Sequence, residues 1–322
     1  MLNVLSVENA LGWSWGLSMH QLTALLPTYK FIHMIGQRRM KVDKKCECEK
    51  MVELVIDPIA IADDLVNHFD LTLLQNVENL KLVKTNHKKV ICRSGGMIVN
   101  EQNAGDRYND EIKHVGAVIA TNNQLCDIAK ECNDNSFLVP NGCDLEHFKP
   151  ADPSPNFERV FTIGFAGNIW GQGLNYKGYQ YFVKALTSLY GHIKTKMLLH
   201  AHSQIDHGDM PSKFYHEIDC LILPSMGEGC SNVTMEALAC GVPVLTTQVG
   251  YHGEMLEHEK NCLFIKRDAN DIEKKILKLI NNPSLRIDMA KNGREFAEEH
   301  HDIKQIAQKY DEIFQLVLSK EQ

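Results

Sequence analysis

Pro224–Val244 reads PSMGEGCSNVTMEALACGVPV, and its punctuation decides the fold. The run just before it, Cys220–Leu223, is a short apolar strand. Ser225–Gly229 is a loop with two glycines, and Ser231 or Asn232 stands where a cap for the following helix is needed. Val233–Cys240 is helical, and Gly241 with Pro243 ends it. Strand, glycine loop and capped helix in that order put a helix N-terminus at the carboxyl end of a strand. The N–H groups of a first helical turn and the positive end of its dipole favour an anion such as a phosphate. Gly227 and Gly229 let a ligand approach the backbone with no Cβ in the way. Glu228 precedes the helix and Glu236 lies about one turn inside it. Eight residues apart, the two carboxylates face different parts of a long ligand, and each suits a vicinal diol. Taken alone, the pair also fits solvated charges around an ordinary capped helix.

Outward from this stretch the chain alternates strand-like and helical runs. Strands are read at Leu2–Val7, Phe31–Ile35, Leu71–Leu74, Lys89–Cys92, Ala117–Ala120 and Ser136–Val139, then at Thr162–Ala166, Lys196–His200, Cys220–Leu223 and Val244–Thr247. Helices are read at Leu17–Leu26, Asn123–Glu131 and Gly178–Tyr190, and after the second set of strands at Asp271–Ile280, Ser284–Glu299 and Ile303–Leu318. Alternation of this kind implies βαβ units and parallel sheets with helices on both faces. Pro150–Arg159, PADPSPNFER, breaks the alternation, because closely spaced prolines continue neither a helix nor a central strand. The expected architecture is α/β: two Rossmann-like, doubly wound parallel-sheet domains facing a central cleft. Residues 1–150 form the first and 151–305 the second, and 306–322 form a C-terminal helix packing back toward the first. Ligands of such folds bind outside the carboxyl ends of the strands.

Composition narrows the function. The 322 residues are 44% hydrophobic and 23% charged, with 34 basic against 41 acidic side chains and a net charge of −7. That balance argues against nucleic acid as a partner, since such binding rests on phosphate neutralisation by Lys and Arg. No apolar run reaches the roughly 20 residues of a membrane span. The N-terminus, MLNVLSVENALGWSWG, lacks a basic leader and reads as a folded strand. The ten cysteines form no CxxC pair, so reduced thiols in a cytoplasmic protein are expected. Cys46 and Cys48, and the trio His200, His202 and His207, read as loop and strand-end residues and not as metal ligands.

The decisive stretch resembles a known family. EGCSNVTMEALACGVPV is similar to the Glu-x7-Glu signature of retaining family-4 glycosyltransferases of the GT-B fold (glycosyl transferases group 1). Other pieces follow in the family's order: VPNGCDLEHFKP (Val139–Pro150), IGFAGN (Ile163–Asn168) with YKG (Tyr176–Gly178), MPSKFYHEIDCLILPS (Met210–Ser225) and VGYHGEMLEHEKNCLFIKRD (Val249–Asp268). The likeness covers about Val118 to Tyr310; the first hundred or so residues match in outline only.

The resemblance implies a hexosyltransferase-type enzyme (EC 2.4) that transfers a sugar from a nucleotide-diphosphate sugar, retaining configuration at the anomeric carbon. It implies no cofactor and no essential metal. Glu228 would contact the transferred sugar and Glu236 the ribose, while Lys177 would grip the diphosphate, so Glu228 and Lys177 carry the chemistry. The donor-binding set is Gly167, Asn168, Lys177, Gly178, Glu228, Gly229, Cys230, Ser231, Asn232, Val233 and Glu236. Asn168 stands where the family usually has a phosphate-binding arginine. The acceptor side would comprise Gly12, Trp13, Trp15 and Gly16 in the loop ENALGWSWGLS, together with Arg93 in ICRSGG, a residue that equally suits a structural role. The acceptor is a glycan, a lipid or a small molecule, with peripheral membrane contact left open. Two other readings stay open as well: a nucleotide-sugar epimerase of the same shape, and a non-catalytic nucleotide-sugar or glycan-binding relative.

Overall fold

The computed structural model describes residues 2–8, 21–35, 68–75, 80, 87–95, 112–151, 159–167, 169, 175–189, 195–200 and 205–320. The chain divides into two compact units, Met1–Asn141 with Lys304–Gln322, and Gly142–Ile303.

The first unit is built on a six-stranded parallel sheet of β1 (Leu2–Glu8), β2 (Tyr29–Ile35), β3 (Leu71–Leu74), β4 (Val90–Ser94), β5 (Ala117–Ala120) and β6 (Ser136–Leu138), in the order β2-β1-β3-β4-β5-β6. Every residue of β3, β4 and β5 is buried, as expected of parallel strands covered on both faces. Helix α1 (Asn123–Lys130) joins β5 to β6, its first turn capped by Asn122 Oδ1, which accepts from Leu125 N.

The second unit carries a five-stranded parallel sheet of β7 (Phe161–Ala166), β8 (Thr195–His200), β9 (Cys220–Leu223), β10 (Val244–Thr246) and β11 (Cys262–Phe264), in the order β11-β10-β9-β7-β8. Its helices are α2 (Tyr179–Leu189), α3 (Met210–Lys213), α4 (Asn232–Ala239), α5 (Gly250–Met255), α6 (Ala269–Asn281) and α7 (Pro283–His300). The last helix, α8 (Ile303–Ser319), belongs from Lys304 onward to the first unit. There it covers β2: the Phe314 ring meets Tyr29 edge-on at 5.2 Å, and the Tyr29 hydroxyl donates to Asp311 Oδ1 at 2.7 Å.

The ten strands read from the sequence are all present, their ends moved by at most two residues. β11 was not read, since only the four apolar residues Cys262–Ile265 stand between the charged flanks EKN and KRD. The division between the units falls between Asn141 and Gly142, upstream of the proline-rich stretch. Residues 143–148 are instead woven into the second unit. Cys143 N donates to His301 O at 2.7 Å and Ile303 N to Cys143 O at 3.1 Å. Arg294 Nη1 donates to the Phe148 carbonyl at 2.8 Å, and Phe148 is buried in that unit's core.

In both sheets the chain leaves its first strand toward one edge and returns to the other side of that strand. The carboxyl ends of β1 and β3, and of β7 and β9, therefore flank the reversal points where open α/β sheets bind ligands.

Gly116 fixes the close packing of the first unit. A Cβ there would fall 2.1 Å from the Lys88 carbonyl oxygen and 2.8 Å from Val317 Cγ1, while Gly116 N donates to Val90 O at 2.9 Å. Gly116→Ala is expected to cost about 2 kcal/mol or more, read as a lowered midpoint in urea unfolding; a midpoint equal to the parent's would contradict this packing.

Candidate functional site

At the reversal point of the second sheet, two loops meet: the one after β7, which ends at Gly178, and the one after β9, residues 224–231. Several contacts stitch them together. Met226 N donates to Tyr176 O at 2.8 Å, and the Tyr176 hydroxyl donates to Gly227 O at 2.6 Å. Gly178 has φ +71°, and a Cβ on it would lie 2.2 Å from the Pro224 carbonyl oxygen, so only glycine fits. Arg267, just past β11, donates from Nε to Pro224 O at 3.1 Å and from Nη2 to Asn175 O, with its guanidinium 5.2 Å from the Tyr181 ring centroid. From the other side, Thr247 Oγ1 donates to Ser225 O at 2.7 Å and Tyr251 N to Gly229 O at 3.2 Å.

On this frame Lys177 and Glu228 form an ion pair, with Nζ 2.6 Å from Oε1 and side chains 24% and 9% exposed. Ser225 Oγ donates to the same oxygen at 2.6 Å. The stem of Lys177 runs past Gly167, whose absent Cβ would be 3.5 Å from Lys177 Cγ. Burial raises the pKa of the Glu228 carboxyl. The Lys177 charge, His252 and the hydrogen bonds from Lys177 and Ser225 outweigh that effect and hold it below its ordinary value. Glu228 is thus ionised at neutral pH.

Helix α4 starts beside this pair. Its N-cap is Ser231, which accepts from Thr234 N, and its first turn carries no acidic side chain, so the positive helix end keeps its attraction for an anion. Gly229, Cys230, Ser231 and Asn232 are buried and Val233 is half-buried.

Glu236 lies within α4 and has different partners. The Tyr215 hydroxyl donates to Oε2 at 2.6 Å, and His207 Nε2 lies 3.0 Å from Oε1. Burial disfavours charge on His207. The hydrogen bond and charge of Glu236, with Asp144 beyond, overcome this and raise its pKa.

The structure thus brings together Gly167, Lys177, Gly178, Glu228 and the start of α4, and gives Glu236 a separate set of contacts in the same unit. Asn168, Gly12, Trp13, Trp15, Gly16, Cys46, Cys48 and His202 lie outside the described residues. Arg93, in the first unit, is buried, donates to Asn141 Oδ1 and hydrogen-bonds Tyr310. Among the described residues, no group of three or more His, Cys, Asp or Glu is placed to hold a metal. Likewise none of their helices is long and apolar enough to cross a membrane.

Sequence reasoning missed Ser225, Tyr215 and His252, and it read His207 only against metal binding. Ser225 and Tyr215 were signalled by lying inside MPSKFYHEIDCLILPS, and His252 by lying inside VGYHGEMLEHEKNCLFIKRD, but no local pattern marked any of the three as a partner of the site.

Comparison with known proteins gives the site its setting. Residues 192–296 match the family model of glycosyl transferases group 1. An uncharacterized glycosyltransferase of Methanocaldococcus jannaschii is 39% identical over 92 residues, which is 28% of this chain and 26% of that protein. The matched stretch thus spans about a quarter of the relative's length. Sucrose-phosphate synthase from Thermosynechococcus elongatus superposes with a TM-score of 0.76 at 14% identity, covering 99% of this chain and 100% of that one. HepE of Anabaena, in complex with UDP and glucose, gives 0.72 at 14% identity over 97% and 99%. The fold is GT-B.

His252 yields a pH test of the site's floor. It is fully buried, and its Nδ1 lies 2.8 Å from Thr246 Oγ1. Burial pushes its pKa down to about 4, with Glu228 opposing and Lys177 adding to the fall. The folded value lies below the unfolded 6.5, so the unfolded chain takes up the proton first as the pH drops. Stability from this residue is complete above about pH 6.5 and declines by ~3 kcal/mol toward pH 4. His252→Gln, which keeps a donor toward Thr246, is expected to flatten urea-unfolding stability between pH 6.5 and 4. An unchanged slope would contradict a buried neutral imidazole.

Proposed function

We propose that this chain, whose residues 192–296 match the family model of glycosyl transferases group 1, is a retaining, hexosyltransferase-type glycosyltransferase (EC 2.4). In this reading it moves a sugar from a nucleotide-diphosphate sugar to the hydroxyl of a glycan, lipid or small molecule. The observation that carries the proposal is the Lys177–Glu228 pair at 2.6 Å beside the N-terminus of α4. A nucleoside diphosphate bound by HepE supports the donor class, and free thiols at the eight described cysteines support a reducing, cytoplasmic setting.

An ammonium group has three N–H donors. Lys177 spends one on Glu228 and directs the others to the donor's diphosphate. When the bond between the sugar's C1 and the β-phosphate oxygen breaks, negative charge grows on that oxygen. A fixed cation and helix N–H groups stabilise this charge more in the transition state than in the ground state. The positive charge opposite the diphosphate then comes from Lys177 and α4, and no metal is assigned. Glu228, anchored through Oε1, accepts a hydroxyl of the sugar, and Glu236 accepts hydroxyls of the ribose. The acceptor oxygen forms its bond to C1 on the face the phosphate leaves, and its proton passes to the departing phosphate.

Glu228→Gln and Lys177→Ala should each lower kcat about 100-fold or more, measured at a temperature where circular dichroism shows both variants folded. Assays with UDP-, GDP- and ADP-sugars and a broad acceptor panel provide the rates, and NMR of the product the anomeric configuration. Wild-type rates in both variants would overturn the site assignment. Inversion at C1, epimer formation from donor alone, or binding with no turnover across the panel would overturn the reaction.

A further inference from the structure

The surroundings of Glu236 assign a task to a residue that the proposed mechanism leaves unused. Glu236 is 4% exposed, and each of its carboxylate oxygens has one protein partner, Tyr215 on Oε2 and His207 on Oε1. The partners come from one short segment: His207 opens the 3-10 turn His207–Asp209 and Tyr215 the turn Tyr215–Glu217. They differ in access. Tyr215 is wholly buried, its ring edge-on to Phe214 at 5.2 Å and to Phe148 at 6.0 Å. His207 packs against Phe148 at 5.2 Å, yet its side chain keeps 14% exposure against 6% for Glu236. His207 is therefore the more open edge of the carboxylate.

We propose that His207 is a positioning residue for donor recognition: it fixes Glu236 from Oε1, while Tyr215 fixes it from Oε2, so that the carboxylate meets the two ribose hydroxyls already oriented. The proposal rests on Glu236 contacting the ribose, as argued above.

The stereochemistry supports it. The terminal torsion of a glutamate is broad, and one hydrogen bond leaves the carboxylate free to swing. Two donors on different oxygens stop that rotation. A carboxylate offers about four lone-pair sites, so two remain after Tyr215 and His207 are served, which is the number a vicinal diol needs. Orientation set in advance lowers the ordering cost of binding. Two carboxylates act on His207, Glu236 from α4 and Asp144 from the segment before Phe148. Both favour a proton on the ring, which strengthens the donation to Oε1.

The test compares a ribonucleoside diphosphate with its 2′,3′-dideoxy form, using whichever of UDP, GDP and ADP binds the wild-type protein most tightly by calorimetry. The ratio of the two dissociation constants isolates the ribose hydroxyls from every other contact. Wild type is expected to prefer the ribonucleotide about tenfold. His207→Phe keeps the ring packing and deletes the donor, so its ratio should fall to about 2 or less. His207→Gln, which can still donate to Oε1, should restore most of the preference, a rescue that a purely structural role does not produce. Should the Phe variant fail to fold, His207→Met serves in its place. If Glu236→Gln abolishes the preference and His207→Phe keeps it, the inference on His207 is overturned and the reading of Glu236 stands. If the wild type shows no preference, or binds none of the three diphosphates, the reading of Glu236 fails and the inference with it.

Discussion

The ion pair between Lys177 and Glu228 is the constraint around which the second unit's loops are arranged. Drawing a carboxylate and an ammonium out of water costs several kcal/mol per ion before their attraction is counted. Glu228, 9% exposed, is kept charged chiefly by Lys177, which with Ser225 serves Oε1. That geometry needs the turn at 175–178 and the loop at 224–228 to stay in register. The Tyr176 contacts, the bare α-carbon of Gly178 and the Arg267 strut each enforce it. A site whose charges cancel within the protein can admit a diphosphate without first shedding a bulk counter-ion. It also keeps the cation from collapsing onto other groups.

Helix α4 then works at both ends of the problem. Its first turn is capped by Ser231, three residues past Glu228, and one turn inside it Glu236 sits in a different environment, held by a phenol and an imidazole. The contrast follows from the two elements that reach the helix: the loops at the β7/β9 reversal point supply lysine and serine, while the 205–217 segment supplies aromatic and heterocyclic groups. In the proposed reading Lys177 meets the charged diphosphate, while both carboxylates meet neutral hydroxyls, Glu228 those of the sugar and Glu236 those of the ribose.

Much of this was legible in the sequence. Buried parallel strands announce themselves as apolar runs, and the cap at Ser231 and stop at Gly241 bracket α4 within a residue. The convergence of Lys177 with Glu228, 51 positions apart, rested on resemblance, because no local pattern encodes a contact across a sheet. His207 was seen as one of three histidines, and its use emerged only when Tyr215 and Glu236 were placed beside it. His252 was invisible for the same reason: nothing in VGYHGEM distinguishes a buried imidazole from an exposed one. The sequence reading puts a boundary at Pro150, where closely spaced prolines are a strong local signal, whereas the contacts divide the chain between Asn141 and Gly142, beside the bridge from Cys143 to Asp302, a pairing that no local pattern encodes.

The most direct test of the account is a crystal structure of the full chain with a nucleoside diphosphate bound. The account predicts the diphosphate at the start of α4, with phosphate oxygens about 3 Å from Lys177 Nζ and from first-turn amide nitrogens, and the ribose hydroxyls on Glu236. A nucleotide bound elsewhere, with Lys177 and Glu228 still closed on each other and no phosphate on either the lysine or the helix, would contradict it.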